Sequence, residues 1–163
     1  MIRPATEGDA SAIAHVQLRG WRAAYGGFLG EEAVTAPARF AHRWPAVLRA
    51  APVWVAEEGG EVVGFAAGGP TRDDDAAQGT GELYALYVDP SCWRRGLGRA
   101  LHDRVLAELA EAGLARATLW VLEEGGAGRR FYERQGWRPD GAAKLDELGA
   151  RELRYARGLG DVG

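Results

Sequence analysis

The chain has 163 residues, 47% of them hydrophobic, and a formal net charge of −3. That length suits a single domain with a substantial core, and the mildly acidic balance excludes the broad basic field of a nucleic-acid binder. Lys144 is the only lysine, so positive charge is local and almost wholly arginine.

Met1 to Pro4 reads as a short extended start. Thr6, followed three residues later by Asp9, is a capping-box-type helix start. Ile13, Val16 and Trp21 then recur at near-helical spacing, which predicts a helix from Gly8 to Ala24. Gly26 and Gly27 end it, and Tyr25, Phe28 and Leu29 make an apolar loop. A second helical region, Glu31 to Ala50, is interrupted at Pro37 and Pro45. Two strands, Val53 to Glu57 and Glu61 to Gly68, flank the hairpin signal Glu58-Gly59-Gly60. The polar loop Thr71 to Gly81 contains Asp73, Asp74 and Asp75, an acidic run that reads either as solvated or as an entrance for a cationic substrate.

A strand from Glu82 to Val88 follows, then Pro90 and a basic, glycine-rich turn from Trp93 to Gly98. The turn opens into a helix that places Leu97, Leu101, Val105 and Leu109 on one face and stops at Gly113. Ala117 to Leu122 is a further strand, Gly125 to Gly128 a flexible loop, and Arg129 to Gln135 a short helix ended by Gly136. Trp137 onward and Arg151 to Arg157 read as two last strands. The order is strand, two helices, three strands, helix, strand, helix, two strands. It predicts an α/β fold whose sheet is of mixed direction, with helices on both faces.

A lone cysteine, Cys92, excludes an internal disulfide and makes structural zinc a poor fit. His15, His42 and His102 show no metal-ligand spacing, and each is expected at a helix surface or boundary. No apolar run approaches the roughly 18 residues that span a bilayer. The first residues, MIRPATEGDA, lack the apolar core of a signal peptide. The expectation is a cytoplasmic protein with no metal, membrane or nucleic-acid partner.

The stretch Gly81 to Leu106, GELYALYVDPSCWRRGLGRALHDRVL, carries the strongest chemical signal. A strand that empties into a glycine-rich turn at a helix start is a phosphate-binding device. Backbone N–H groups converge there, and the helix dipole adds roughly +0.5 charge. Arg94, Arg95 and Arg99 sit on or beside the turn.

This stretch, together with GGAGRRFYERQGW (Gly125 to Trp137) and, more weakly, GWRAAYGGFLGE (Gly20 to Glu31), resembles the GNAT superfamily of acyl-CoA-dependent N-acetyltransferases. The family's turn motif, Q/R-x-x-G-x-G/A, fits in two registers. Arg95 to Ala100 matches it fully; Trp93 to Gly98 matches except at its first position. The second register is preferred, because it places Gly96 and Gly98 in the turn and begins the helix on its apolar stripe.

The resemblance implies a GNAT-like, mostly antiparallel central sheet with helices on both faces, and acetyl-CoA as cosubstrate without a metal. It implies donor contacts at Tyr87, Val88, Arg94, Arg95, Gly96, Leu97, Gly98, Arg99, Ala100 and Gly128. The acceptor would be a small-molecule or protein amine, held in part by Tyr25 and Phe28, and the assembly is often a homodimer.

Forming an amide from a thioester needs a neutral amine, a polarised carbonyl and a proton for the departing thiolate. A primary amine of pKa ~10.4 is neutral in about one molecule in 2,500 at pH 7, a penalty of roughly 4.6 kcal/mol. By the resemblance Glu82 is the candidate base, directly or through water, and Tyr132 the candidate acid. A backbone N–H near Tyr87 or Val88 would hold the oxyanion. Arg129 and Arg130 would reach the adenosine 3′-phosphate or line a solvated helix face.

One departure stands out. Gly125 replaces a frequent family asparagine and Gly128 a frequent alanine, which predicts a loosened loop and keeps open a non-catalytic acyl-CoA-binding module. A dinucleotide enzyme of the Rossmann type is a poor fit, since its glycine turn would follow an early strand.

Overall fold

The computed structural model describes residues 1–25, 42–146 and 149–160. Seven strands, β1 (Ile2–Pro4), β2 (Val53–Glu58), β3 (Glu61–Pro70), β4 (Thr80–Val88), β5 (Arg116–Leu122), β6 (Arg138–Leu145) and β7 (Arg151–Gly158), run in the order β1-β2-β3-β4-β5-β7-β6. Among the described residues there are four α-helices: α1 (Ala10–Tyr25), α2 (Trp44–Ala50), α3 (Leu97–Glu111) and α4 (Ala127–Arg134). The predicted order of elements therefore holds, and β1–β2, β2–β3, β5–β7 and β6–β7 are antiparallel while β4–β5 is parallel. Of the predicted helical region Glu31 to Ala50, α2 is the last part, and residues 31–41 lie outside the described residues.

The chain divides into two compact units, Met1–Gly68 with Ala85–Val105, and Gly69–Tyr84 with Leu106–Gly163. In the first, Gly59 and Gly60 both take positive φ (56° and 81°). Such paired values are those of the type I′ turn, whose twist suits a two-residue hairpin. Helix α1 is entered through the expected box: the Thr6 N–H donates to Asp9 Oδ2 at 2.8 Å. Arg3 grips the same carboxylate at 2.8 Å and Glu57 at 2.8 Å, tying β1 to the helix entry and to β2. That guanidinium holds the Asp9 carboxyl below the usual carboxylate range.

Ile13, Val16, Val55, Phe65, Leu101 and Val105 are fully buried in this unit. Trp44 meets Phe65 edge-on at 5.0 Å and donates its indole N–H to Gln17 Oε1 at 2.9 Å, a core role for this tryptophan. His102 corrects the expectation of a surface or boundary histidine. It is 1% exposed, because its place on α3 lies beside Leu101 and Val105, and its Nδ1 is 2.8 Å from Asp103 Oδ1.

In the second unit β4 and β5 pair in parallel from Thr80–Arg116 to Glu82–Thr118. Parallel neighbours need a long crossover; α3 supplies it and is closed off by Gly113 at φ 88°. Leu106, Leu119, Trp137 and Tyr155 are fully buried here. No helix among the described residues is long and apolar enough to cross a membrane.

Candidate functional site

The strand end and turn of the first unit are built mainly from backbone. Tyr87 stacks on Phe65 at 5.6 Å, and α1 passes so close that a Cβ at Gly20 would lie 2.5 Å from the Tyr87 ring. Gly20 is thus a positioning residue for β4 that sequence reasoning placed only in a weak motif. Asp89 caps the short 3₁₀ turn Pro90–Cys92: its Oδ1 accepts from the Ser91 N–H at 3.0 Å and the Ser91 hydroxyl at 2.8 Å, and Arg19 pairs with its other oxygen. Burial pushes the Asp89 carboxyl up, but the Ser91 bonds and Arg19 outweigh it and leave it below its ordinary value.

The last peptide of β4 is pinned from both sides. The Asp89 N–H donates to the Val63 carbonyl at 2.7 Å, and the Trp93 indole N–H donates to the Val88 carbonyl at 2.7 Å. Trp93, which in the preferred register stands where the family motif has Gln or Arg, therefore ties the turn to the strand.

Left-handed backbone occurs at Arg94 (φ 66°) and Gly96 (φ 79°). The first is uncommon for a residue with a Cβ. Helix α3 begins at Leu97, and its first internal bond runs from the Ala100 N–H to the Gly96 carbonyl at 3.0 Å. The N–H groups of Leu97, Gly98 and Arg99 are therefore left without a partner inside the helix. Gly98, expected in the turn, lies in the first helical turn instead, because the helix starts one residue before it.

A Cβ at Gly96 would meet nothing within 4 Å, so its glycine answers to φ and leaves open space beside the turn. N–H groups without helical partners, a helix start and open space fit a pyrophosphate. Two of the arginines have acid partners: Arg95 meets Glu58 at 2.9 Å and Arg99 meets Asp103 at 3.7 Å. Arg94 is exposed. Cys92 is buried, with Sγ 3.7 Å from the Ser91 hydroxyl.

In the second unit the candidate residues are side chains. Glu82 is not the solvent-facing strand residue that its polarity alone suggests; it is 2% exposed. Its Oε1 accepts the Arg72 backbone N–H at 2.9 Å and its Oε2 the Arg72 guanidinium at 2.8 Å. That guanidinium also sits 4.1 Å from the centroid of the Tyr84 ring. The Tyr84 hydroxyl donates to the Pro70 carbonyl, and burial raises its pKa, which keeps the proton on the donor.

Asp73 and Asp75 are ion-paired, Asp75 while remaining largely exposed. Arg154, 12% exposed, meets Asp75 Oδ1 at 2.7 Å, Asp140 Oδ2 at 2.6 Å and Asp73 Oδ2 at 3.5 Å. The Trp120 indole N–H also donates to Asp73, at 3.1 Å. The sequence carried no signal for this network, since its members lie up to 81 positions apart.

Tyr132 is half-buried on α4, edge-on to Phe131 at 5.2 Å and to Trp137 at 6.1 Å. The Trp137 N–H donates to the Tyr132 carbonyl at 3.1 Å where Gly136 (φ 91°) ends the helix, so a buried tryptophan fixes the tyrosine's segment. Gly128 corrects the expectation of a loosened loop. It lies within α4, and a Cβ there would come 3.1 Å from Val121 on β5, so this glycine serves close helix–strand packing. Gly125 and Gly126 do take positive φ, 86° and 72°. Arg129 interacts with the Tyr155 hydroxyl, which also donates to Glu133 at 3.1 Å. Tyr25 closes α1, and Phe28 lies outside the described residues. No group of three His, Cys, Asp or Glu among the described residues is placed to hold a metal.

The profile of the acetyltransferase (GNAT) family matches residues 17–137. The chain belongs to that family. It is 30% identical over 125 residues to the uncharacterized N-acetyltransferase YuaI of Bacillus subtilis, a match covering 76% of this chain and 72% of that one. A mycothiol acetyltransferase of Beutenbergia cavernae is 49% identical over 65 residues, 40% of this chain; the match spans only 21% of that relative's length. The PaiA N-acetyltransferase of Thermoplasma acidophilum, solved in complex with coenzyme A, superposes with a TM-score of 0.80 at 16% identity, covering 97% of this chain and 98% of the other. The family's fold, with its mixed, mostly antiparallel sheet, is the fold of this chain.

Proposed function

We propose that this chain transfers the acetyl group of acetyl-CoA to a primary amine by direct attack. The observation that carries the reading is the turn at Arg94–Gly96 leading into α3, with three N–H groups free of helical partners, in a chain of the GNAT family. Acetyl-CoA supplies the activated acyl group. The turn's backbone, with Arg94, Arg95, Gly96, Leu97, Gly98, Arg99 and Ala100, would bind the pyrophosphate, and Gly128 would border the pantetheine arm.

A backbone N–H at Tyr87 or Val88 would face the carbonyl oxygen as charge develops there. Glu82 would accept the proton of the attacking ammonium, directly or through water, which addresses the roughly 4.6 kcal/mol cost of neutralising it at pH 7. Tyr132 would return a proton to the departing sulfur. Tyr25 and Phe28 would line the acceptor side.

Cys92, buried beside Ser91, is outside this scheme. Its replacement by alanine should leave turnover intact, and a complete loss would replace direct transfer with a covalent route. The deciding experiment measures acceptor-dependent release of CoA thiol across a broad amine panel, beside acetyl-CoA binding by calorimetry. Release with at least one amine supports the reading. Tight acetyl-CoA binding with no release from any amine would replace it with a non-catalytic acyl-CoA-binding module.

A further inference from the structure

We infer that Arg72 recognises a carboxylate carried by the acceptor, so that the acceptor class is an α-amino acid. The inference rests on the acetyl-transfer reading above and deepens it.

Arg72 combines two properties that rarely coincide. Its side chain is 64% exposed, yet its guanidinium is fixed: one nitrogen donates to Glu82 at 2.8 Å and its central carbon lies 4.1 Å from the centroid of the Tyr84 ring. An exposed arginine ordinarily keeps rotamer freedom that a ligand must remove. Here most of that freedom is already gone. The anchor is itself rigid, because Glu82 is 2% exposed and also holds the Arg72 backbone N–H at 2.9 Å. The loop start is fixed again by Tyr84, whose hydroxyl bonds the Pro70 carbonyl; a Cβ at Gly69 would lie 2.8 Å from that hydroxyl, so glycine makes the approach possible.

The donor count then points to the ligand. A guanidinium has five N–H groups in a flat fork and accepts nothing. Glu82 takes one edge and Tyr84 one face. The remaining donors are unclaimed among the described residues, on a side chain that is mostly exposed. A fixed fork with free parallel donors matches a carboxylate in bidentate fashion, which a lysine ammonium does not. Beside it lies the Glu82 carboxylate, buried with both oxygens on Arg72, so the pair is one of adjacent positive and negative charge. An amino acid zwitterion presents the same two charges, two bonds apart, in the complementary sense.

The rival, a polycation drawn in by the acidic loop, finds two of its three docking groups already paired with a cation. Asp73 and Asp75 already face Arg154 at 3.5 and 2.7 Å.

The test compares L-amino acids with their primary amides and with the corresponding decarboxylated amines, using wild type and Arg72→Lys. The lysine keeps a cation over buried Glu82 while losing the fork, and an unchanged melting temperature confirms its fold. Expected is a preference of wild type for the acids, and a fall of about 30-fold in the ratio of kcat/KM for acid over amide in Arg72→Lys, the size of a lost charge-assisted pair. Equal use of acids and amides by wild type, or an unchanged ratio in the variant, would overturn the inference.

If no acceptor releases CoA, the acetyl-transfer reading falls, and recognition is read separately from thermal shifts of the acetyl-CoA-saturated protein. A shift with acids but not amides that disappears in Arg72→Lys supports recognition by Arg72. No acid-specific shift in wild type, or one retained in the variant, overturns it.

Discussion

Two regions of this molecule do their work with different materials. The turn after β4 is made of backbone: two left-handed residues, a helix start, and one indole N–H on the Val88 carbonyl. The region around Glu82 is made of side chains: Arg72 on Glu82 and Tyr84, and Arg154 on Asp73, Asp75 and Asp140. A backbone cradle suits a ligand part that is common to every turnover, because N–H groups and a helix dipole read phosphate charge and little else. Side-chain clusters can be changed residue by residue, and they suit whatever varies between acceptors.

The contrast can be broken by substitution. The largest effect is expected at Tyr132→Phe, which should cut kcat by about 10²-fold or more, in the range of general acid catalysis, while acetyl-CoA affinity measured by calorimetry stays the same. An unchanged rate removes Tyr132 from the chemistry. Arg154→Ala leaves Asp73, Asp75 and Asp140 facing one another, and should lower unfolding stability in urea by roughly 2 kcal/mol, less than a fully buried network because Asp75 is largely exposed. No loss there would mean the acidic loop stands without its arginine.

Gly96→Val puts a β-branched residue at φ 79° and should weaken acetyl-CoA binding about tenfold or more, since left-handed backbone costs roughly 1–2 kcal/mol outside glycine. Unaltered affinity would place the phosphate turn elsewhere. Trp93→Phe keeps an aromatic ring but removes the donor to Val88. A bond of this type contributes about 1 kcal/mol, which predicts acetyl-CoA binding weaker by about fivefold.

The smallest effect is a slope. Arg3 depresses the folded-state pKa of Asp9, so this carboxylate adds stability that is present above its unfolded value near 3.9 and disappears as pH falls through the lower folded value. Asp9→Asn should flatten the decline of melting temperature between about pH 4 and pH 2. An unaltered slope would assign the acid sensitivity to other carboxylates, Asp89 first, because Ser91 and Arg19 depress it in the same direction.

Much of the fold was legible because its signals are local. Alternating strands, Gly59-Gly60, the Thr6–Asp9 box and the stop at Gly113 each act within a few residues, and the helices and strands of the described chain fall where those signals put them. The glycine turn ahead of α3 was legible for the same reason. Gly128 misled, since its sequence neighbours are glycines and read as a loop, whereas its actual constraint is Val121 on another element. His102 misled similarly: a titratable residue on a helix reads as surface until the packing around that helix is known.

What the sequence by itself determined is the order of elements, the family, and the backbone device at Gly96, because glycine, proline and apolar periodicity act on the chain within one or two turns. What only the tertiary structure decided is which charges meet. Glu82 becomes a buried anchor for Arg72, and Asp73 and Asp75 become partners of Arg154 rather than an open acidic face. Pairing of this kind depends on strands brought side by side from distant parts of the chain, and a side chain's charge does not announce in sequence which opposite charge it will face.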